Sequence, residues 1–278
     1  MKQNLVIITS FSFFIGFLGL LGCENDRNSD MICKNNPEIC ADLHQDSWCR
    51  FEKADLIRHR LQLKQTENPT GLQLYQQLIH LENYSNCIEL AAGVQHILNP
   101  QRTQERARAF AVSTQTLSEL RDYTKDNPDI YLAYYRWIRF NDKNSQDIVI
   151  KHYQNGAIDD PEILSQLAAY YVRVSPVDAK RIYRFLFTSV AAEQFNPDWL
   201  LGLASVFQQQ QNFEYAYLFT KANSLMTDNQ VDQKQLNGLI NGNTELATVL
   251  DTQAQALIID IKSANFANSI SAQLLEDK

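Results

Sequence analysis

Cys33, Cys40, His44 and Cys49 stand close enough in the chain to ask whether they hold a metal. Three thiolates and an imidazole would make a Cys₃His zinc set, but the spacing lacks the close Cys-x₂₋₄-Cys pair such sites use. The five histidines, His44, His59, His80, His96 and His152, form no His-Glu-x-x-His, so a thermolysin-like zinc helix is excluded. No Gly-x-Ser-x-Gly turn presents a serine nucleophile. No Cys-x-x-Cys supports dithiol redox chemistry. Glu38, Asp42 and Asp46 recur every four residues and would share one face of a helix. Paired carboxylates are what sugar hydrolysis needs, yet acids spaced this way are ordinarily a solvated surface. The six glycines beyond residue 23 are far apart, so no glycine-rich loop wraps a phosphate. A formal net charge of −7 opposes nucleic-acid binding. These residues point to no catalytic group, metal or cofactor.

What remains for the cysteines is oxidation, which depends on compartment. Lys2 supplies a positive start, and residues 5–21 are apolar apart from small or hydroxyl residues, which is the layout of an export signal. The run ends in Leu20-Leu21-Gly22-Cys23, which resembles the lipobox of bacterial lipoproteins. Leu21 departs from the small residue most often found there. The resemblance implies removal of residues 1–22, a diacylglyceryl group on the Cys23 thiol, and acylation, as by palmitate, of the new amino terminus. Two or three chains hold a protein firmly in a bilayer where one does so marginally. Residues 23–30 form a polar tether. Glu24 is not the Asp of an inner-membrane retention signal, so the resemblance points to the inner leaflet of the outer membrane, facing the periplasm. In that oxidising space Cys33, Cys40, Cys49 and Cys87 form two disulfides. Four cysteines allow three pairings and the sequence leaves them open. The preferred pairing is Cys33–Cys40, around Asn35-Asn36-Pro37, with Cys49–Cys87 stapling the N-terminal segment to the first helical repeat.

The middle of the chain repeats. Asn127-Pro128-Asp129, Asp160-Pro161-Glu162 and Asn196-Pro197-Asp198 place prolines 33 and 36 residues apart. In each, Asn or Asp caps free amides, Pro fits the first helical turn and the acid suits the positive end of the dipole. Leu164, Leu167, Ala168 and Tyr171 share a helical face, and Leu200, Leu203, Ala204 and Phe207 repeat it 36 residues later. Second helices follow, with Ala179, Tyr183 and Phe187, then Tyr215, Ala216, Phe219 and Ala222. A period near 34 residues with paired helices resembles the tetratricopeptide repeat or its Sel1-like relative, and residues 196–225 match best. Ala216 and Ala222 are one residue closer than that pattern expects. The fold class is therefore all-α: a tetratricopeptide-like helical-repeat solenoid of paired antiparallel helices, with a short disulfide-stapled N-terminal segment.

Around the repeats the spacing predicts a helix with Phe51, Ala54, Ile57 and Leu61 on one face, helices near 70–82 and 85–98, and one or two helices over 101–124. Helices near 231–240 and 244–262 follow, with a terminal capping helix or frayed end. The organisation reads as residues 1–22 signal, 23–30 tether, 31–66 Cys-rich segment, 67–228 helical repeats and 229–278 helical cap. Arg50, Lys53, Arg58, His59, Arg60 and Lys64 make a basic cluster that suits lipid headgroups or an acidic partner, or a plain helix face offset by Glu52 and Asp55. Trp48, Trp137 and Trp199 read as core.

The stretch Ile32-Cys33-Lys34-Asn35-Asn36-Pro37-Glu38-Ile39-Cys40, then Asp46-Ser47-Trp48-Cys49-Arg50-Phe51 and Leu56-Ile57-Arg58-His59-Arg60, resembles domain-of-unknown-function family 2989 of gammaproteobacterial envelope proteins. That family has no established activity, so the resemblance agrees with an envelope lipoprotein and implies no reaction. The function expected is a non-catalytic adaptor or scaffold for an envelope protein partner, acting through a helical-repeat groove. Tyr134, Arg136, Tyr170 and Arg173 are the expected contact residues. The alternatives are an enzyme acting on cell-wall or envelope carbohydrate and a purely structural envelope component.

Overall fold

The computed structural model describes residues 28–229, 231–263 and 265–276. Among these the regular structure is helical: α1 Ser29–Asn35, α2 Arg50–Lys64, α3 Gly71–Ala92, α4 Pro100–Thr124, α5 Ile130–Phe140, α6 Lys143–Gln154, α7 Pro161–Val174, α8 Pro176–Ser189, α9 Asp198–Gln209, α10 Phe213–Met226, α11 Gln233–Leu239, α12 Thr244–Lys262 and α13 Ile270–Gln273. Short 3₁₀ turns lie at Pro37–Ile39, Ala192–Gln194 and Phe266–Asn268. The chain is all-α, with consecutive helices packed in adjacent pairs. It forms two compact units that divide between Tyr135 and Arg136, within α5.

In the first unit, α2 packs on α3 and α3 on α4. Asn83-Tyr84-Ser85-Asn86 is a poor helical sequence, which is why a break is expected there. α3 instead runs through it, because Leu78, Leu81, Tyr84, Ile88 and Ala91 line one fully buried face. Glu82 and Ser85 are buried beside them and find partners on α4: Arg121 donates to Glu82 at 2.7 Å, and the Ser113 hydroxyl donates to Ser85 at 3.2 Å. Tertiary burial thus outweighs propensity, and Ile97 falls in the following loop rather than on a helix. The start of α3 comes at Thr70, where Thr70 and Gln73 cap each other's amides.

The Cys-rich segment belongs to this unit. Cys33–Cys40 and Cys49–Cys87 are both formed. Arg60 holds the segment against α2 with two bonds to Asp42, at 2.7 and 2.8 Å, and a third to the Ile39 carbonyl. These ties and the Cys87 bridge hold residues 31–66 in one unit with α3 and α4.

In the second unit, α7 pairs with α8 and α9 with α10. One residue, Ser175, joins the first pair, so the helices must run antiparallel. The proline triplets act as helix starts. Asp160 accepts from the Glu162 and Ile163 amides, and Asn196 accepts from Asp198 at 2.9 Å. At Asn127-Pro128-Asp129 the helix starts one residue later: Asn127 accepts from the Asp129 amide, and Asp129 itself caps α5 by accepting from the Tyr131 amide at 2.9 Å, so Pro128 precedes the first turn. Both repeated faces are buried as the spacing requires. The Trp199 indole donates to Ser165, 34 residues earlier, at 2.8 Å, so one repeat reads the next. Phe207 stacks on Phe219 with ring centres 5.4 Å apart. Gly202 permits the approach of α9 to α8: a β-carbon there would sit 1.9 Å from the Tyr183 hydroxyl. α10 also packs on α12, with Tyr217 donating to Asp251 at 3.0 Å. Beyond α12 a 3₁₀ turn brings Phe266 against the Phe187 ring, and the one-turn α13 follows.

Candidate functional site

The most structured polar site lies in the first unit, where the Cys-rich segment meets one end of the α3–α4 pair. Cys49 adopts a left-handed backbone, φ 50°, and its bridge to Cys87 pins the 46–49 turn to α3. Asp46 accepts from the Trp48 amide at 3.0 Å and from Arg106 at 2.8 Å. Arg106 is buried, and its other arm donates to the Ala91 carbonyl at 3.3 Å. Its guanidinium lies 4.8 Å from the centre of the Trp48 ring. Asp46, Ser47, Trp48, Cys49, Arg102 and Arg106 line an open recess of about 380 Å³.

Behind the recess stands His44, also buried. Its Nε2 lies 2.7 Å from the Trp48 carbonyl and its Nδ1 2.9 Å from the Tyr84 hydroxyl. The carbonyl can only accept, which places the proton on Nε2 and leaves Nδ1 to accept from Tyr84. Burial pushes the Tyr84 phenol up to about 12, so that hydroxyl keeps its proton. Burial also lowers the His44 pKa below the ordinary imidazole value. The Trp48 carbonyl and Asp46, 3.5 Å from Nε2, pull the other way without overcoming it. For Asp46, burial alone would raise the carboxyl, but the Trp48 amide and Arg106 more than reverse this and hold it low. Lys53 donates to the His44 and Asp46 carbonyls, at 3.2 and 2.8 Å, and burial lowers its pKa. The site is a charge-compensated lock that fixes Trp48 at the mouth of a recess.

The histidine carries a pH dependence whose sign follows directly. The unfolded chain takes up a proton near pH 6.5, while folded His44 resists it to lower pH. Stability is therefore held above about pH 6.5 and falls as pH drops below it. His80, lowered by burial and by neighbouring His59, adds in the same direction. Urea midpoints measured at about pH 7.5 and about pH 5.5 are expected to differ, and the difference to shrink in His44→Gln. An unchanged difference in that variant would show that His44 is not its source.

The residues singled out from sequence fall differently. Cys33, Cys40 and Cys49 are all in disulfides, so they offer no thiolates for a Cys₃His zinc set. Glu38, Asp42 and Asp46 do not share a face. They lie in a 3₁₀ turn and loops, and each meets a different cation: Lys64, Arg60 and Arg106. The basic cluster on α2 is largely consumed by the same pairs, with Arg58 on Asp55. Trp137 and Trp199 are buried, but Trp48 is 43% exposed, and Phe51 is 66% exposed under Arg50 rather than on the α2 core face. Of the expected contact residues, Tyr134 is only 4% exposed and packs against the Tyr75 ring. Arg136 is partly exposed and donates to Ser145 at 2.9 Å. Tyr170 is partly covered and meets Trp137 and Tyr171 edge-on, while Arg173 is exposed. The Asp46–Arg106 pair was not foreseen, because its partners are 60 residues apart. Cys23 and residues 1–22 lie outside the described residues.

In the second unit, Asn212, Phe213, Glu214, Ile240, Asn243 and Leu246 are among the residues lining a wider recess of about 750 Å³. It combines apolar side chains with amides and one carboxylate.

The disulfide-locked all-helical arrangement places the chain among proteins built of paired helices with a cysteine-bridged N-terminal segment. The chain belongs to the family described as Protein of unknown function (DUF2989), whose match covers residues 20–221. No curated protein and no solved structure matches it. No helix among the described residues is long and apolar enough to cross a membrane.

Proposed function

We propose that this chain is a lipoprotein held by Cys23 in the inner leaflet of the outer membrane, facing the periplasm. There its tetratricopeptide- or Sel1-like paired helices serve as a non-catalytic adaptor for an envelope protein. Supporting the anchor, Leu20-Leu21-Gly22-Cys23 lies inside the span matched by the family, and two disulfides follow within the next stretch of chain. The observation that carries the adaptor reading is the 750 Å³ recess between the α9–α10 turn and the α11–α12 connection. Exposed Phe213 and partly exposed Leu246 stand among Asn212, Asn241 and Asn243. Apolar anchors beside amide donors and acceptors suit an extended peptide, whose side chains need burial and whose backbone needs hydrogen bonds.

A photo-crosslinking residue placed at Phe213 in intact cells is expected to give a discrete, light-dependent adduct with one envelope protein. The same probe at exposed Asn155 should not. A probe at Arg173 tests the α7 surface in the same way. Equal, diffuse labelling from all three positions would sink the adaptor reading and leave a purely structural role.

A further inference from the structure

The end of the first unit that carries the Trp48 recess also carries its most exposed apolar side chains. Residues 93–99 join α3 to α4 and are held in place there. The His96 amide donates to Thr103 at 2.9 Å, and Arg106 reaches across to the Ala91 carbonyl. On this loop Ile97 is 93% and Leu98 100% exposed, with Leu90 and Val94 exposed beside them. Exposed Arg102, two residues into α4, lines the recess together with Trp48. Adjacent large aliphatic side chains left wholly in water at a loop tip signal a surface that something else covers.

The path of the chain says what that is. α1 packs on α2, and Lys64 at the last turn of α2 donates to Asn36, just past the end of α1, at 2.7 Å, so the start of α1 points toward the first turn of α2, where Lys53 donates to the Asp46 carbonyl at 2.8 Å. Asp46 lines the recess. The start of the described chain therefore sits at this same end of the unit. Asn28 lies five residues along the chain from Cys23. Even fully extended, they span about 18 Å. An acylated Cys23 would hold the bilayer close to this end and to no other.

We propose that the α3–α4 loop is a second membrane contact, in which Ile97 and Leu98 enter the phospholipid leaflet that holds Cys23. Trp48 then lies at headgroup depth, and Arg102 meets lipid phosphate. The contact sets the orientation of the first unit on the membrane, which attachment at one point alone does not. This inference rests on the lipoprotein reading above.

The test uses the full chain purified from membranes with its own N-terminus, reconstituted into phosphatidylethanolamine–phosphatidylglycerol vesicles. A polarity-sensitive fluorophore is attached at Leu98→Cys or, as control, at Tyr123→Cys. Tyr123 is also exposed but lies at the far end of α4, roughly 35 Å away. Nitroxide-bearing lipids are expected to quench the label at 98 at least about twofold more than the label at 123. Equal quenching would overturn the proposal. So would a label at 98 shielded from both lipid and aqueous iodide, which would mean a protein partner or second copy covers the loop. The wild-type chain separates the two readings. Its other cysteines are in disulfides, so fluorophore entering it would mark a free Cys23 and sink the anchor, while the comparison of 98 with 123 still reads the loop.

Discussion

Replacing Cys49 and Cys87 by serine is expected to destabilise the first unit by about 4 kcal/mol, against about 2 kcal/mol for loss of Cys33–Cys40. The difference follows from loop length. The first bridge closes a separation of 38 residues and the second only 7, so the first removes more freedom from the unfolded chain. The effect has a native-state side as well. Cys49 sits in the left-handed region directly before α2, and its bridge holds the turn from which Asp46 and Trp48 project. Without it, Arg106 and His44 should also lose their fixed partners. Hydrogen exchange is the suitable readout, because two compact units need not unfold together. Amides of α3 and α4 should exchange faster in the variant, and those of α9 and α10 should not. Uniform acceleration, or none, would contradict the assignment of this bridge as the staple of one unit.

Arg106→Met should cost about 3–5 kcal/mol, comparable to the disulfide. Methionine fills much the same space but leaves Asp46 as an uncompensated, mostly buried carboxylate, and it abandons the Ala91 carbonyl. The variant separates a charge effect from a packing effect when combined with Asp46→Asn. If the cost is mainly the stranded carboxylate, the double variant recovers a large part of the loss. If the loss reflects packing against Trp48 alone, the second change recovers nothing. Denaturant midpoints of the two single variants and the double variant make the comparison.

The contrast between these sites and the repeats shows what could be read from the sequence and why. The faces Leu164–Tyr171 and Leu200–Phe207, the helix starts at the proline triplets and the Cys33–Cys40 loop depend on local periodicity, capping chemistry and short spacing, and appear as expected, although only Pro161 enters the first helical turn. The Cys49–Cys87 bridge forms as preferred, but it closes 38 residues and no local signal selects it among three pairings. α3 does not. Its middle is helical only because Tyr84, Glu82 and Ser85 are buried against residues of other segments, which no window of the sequence contains. The charges were legible only in part. Arg58 meets Asp55 on its own helix, as the spacing allows, but Arg60 and Lys64 meet Asp42 and Glu38 from the Cys-rich segment, and Asp46 meets Arg106. The recess at Trp48 was legible only as a tryptophan beside a cysteine, since Arg106 comes to it from 60 residues away.

The anchoring claim is most directly tested by the mass of the N-terminal peptide of the protein isolated from its membrane. An anchored protein yields a peptide that begins at Cys23 and carries a diacylglyceryl group with an acylated amino terminus. A peptide that retains residues 1–22, or one with an unmodified Cys23 thiol, would contradict the claim.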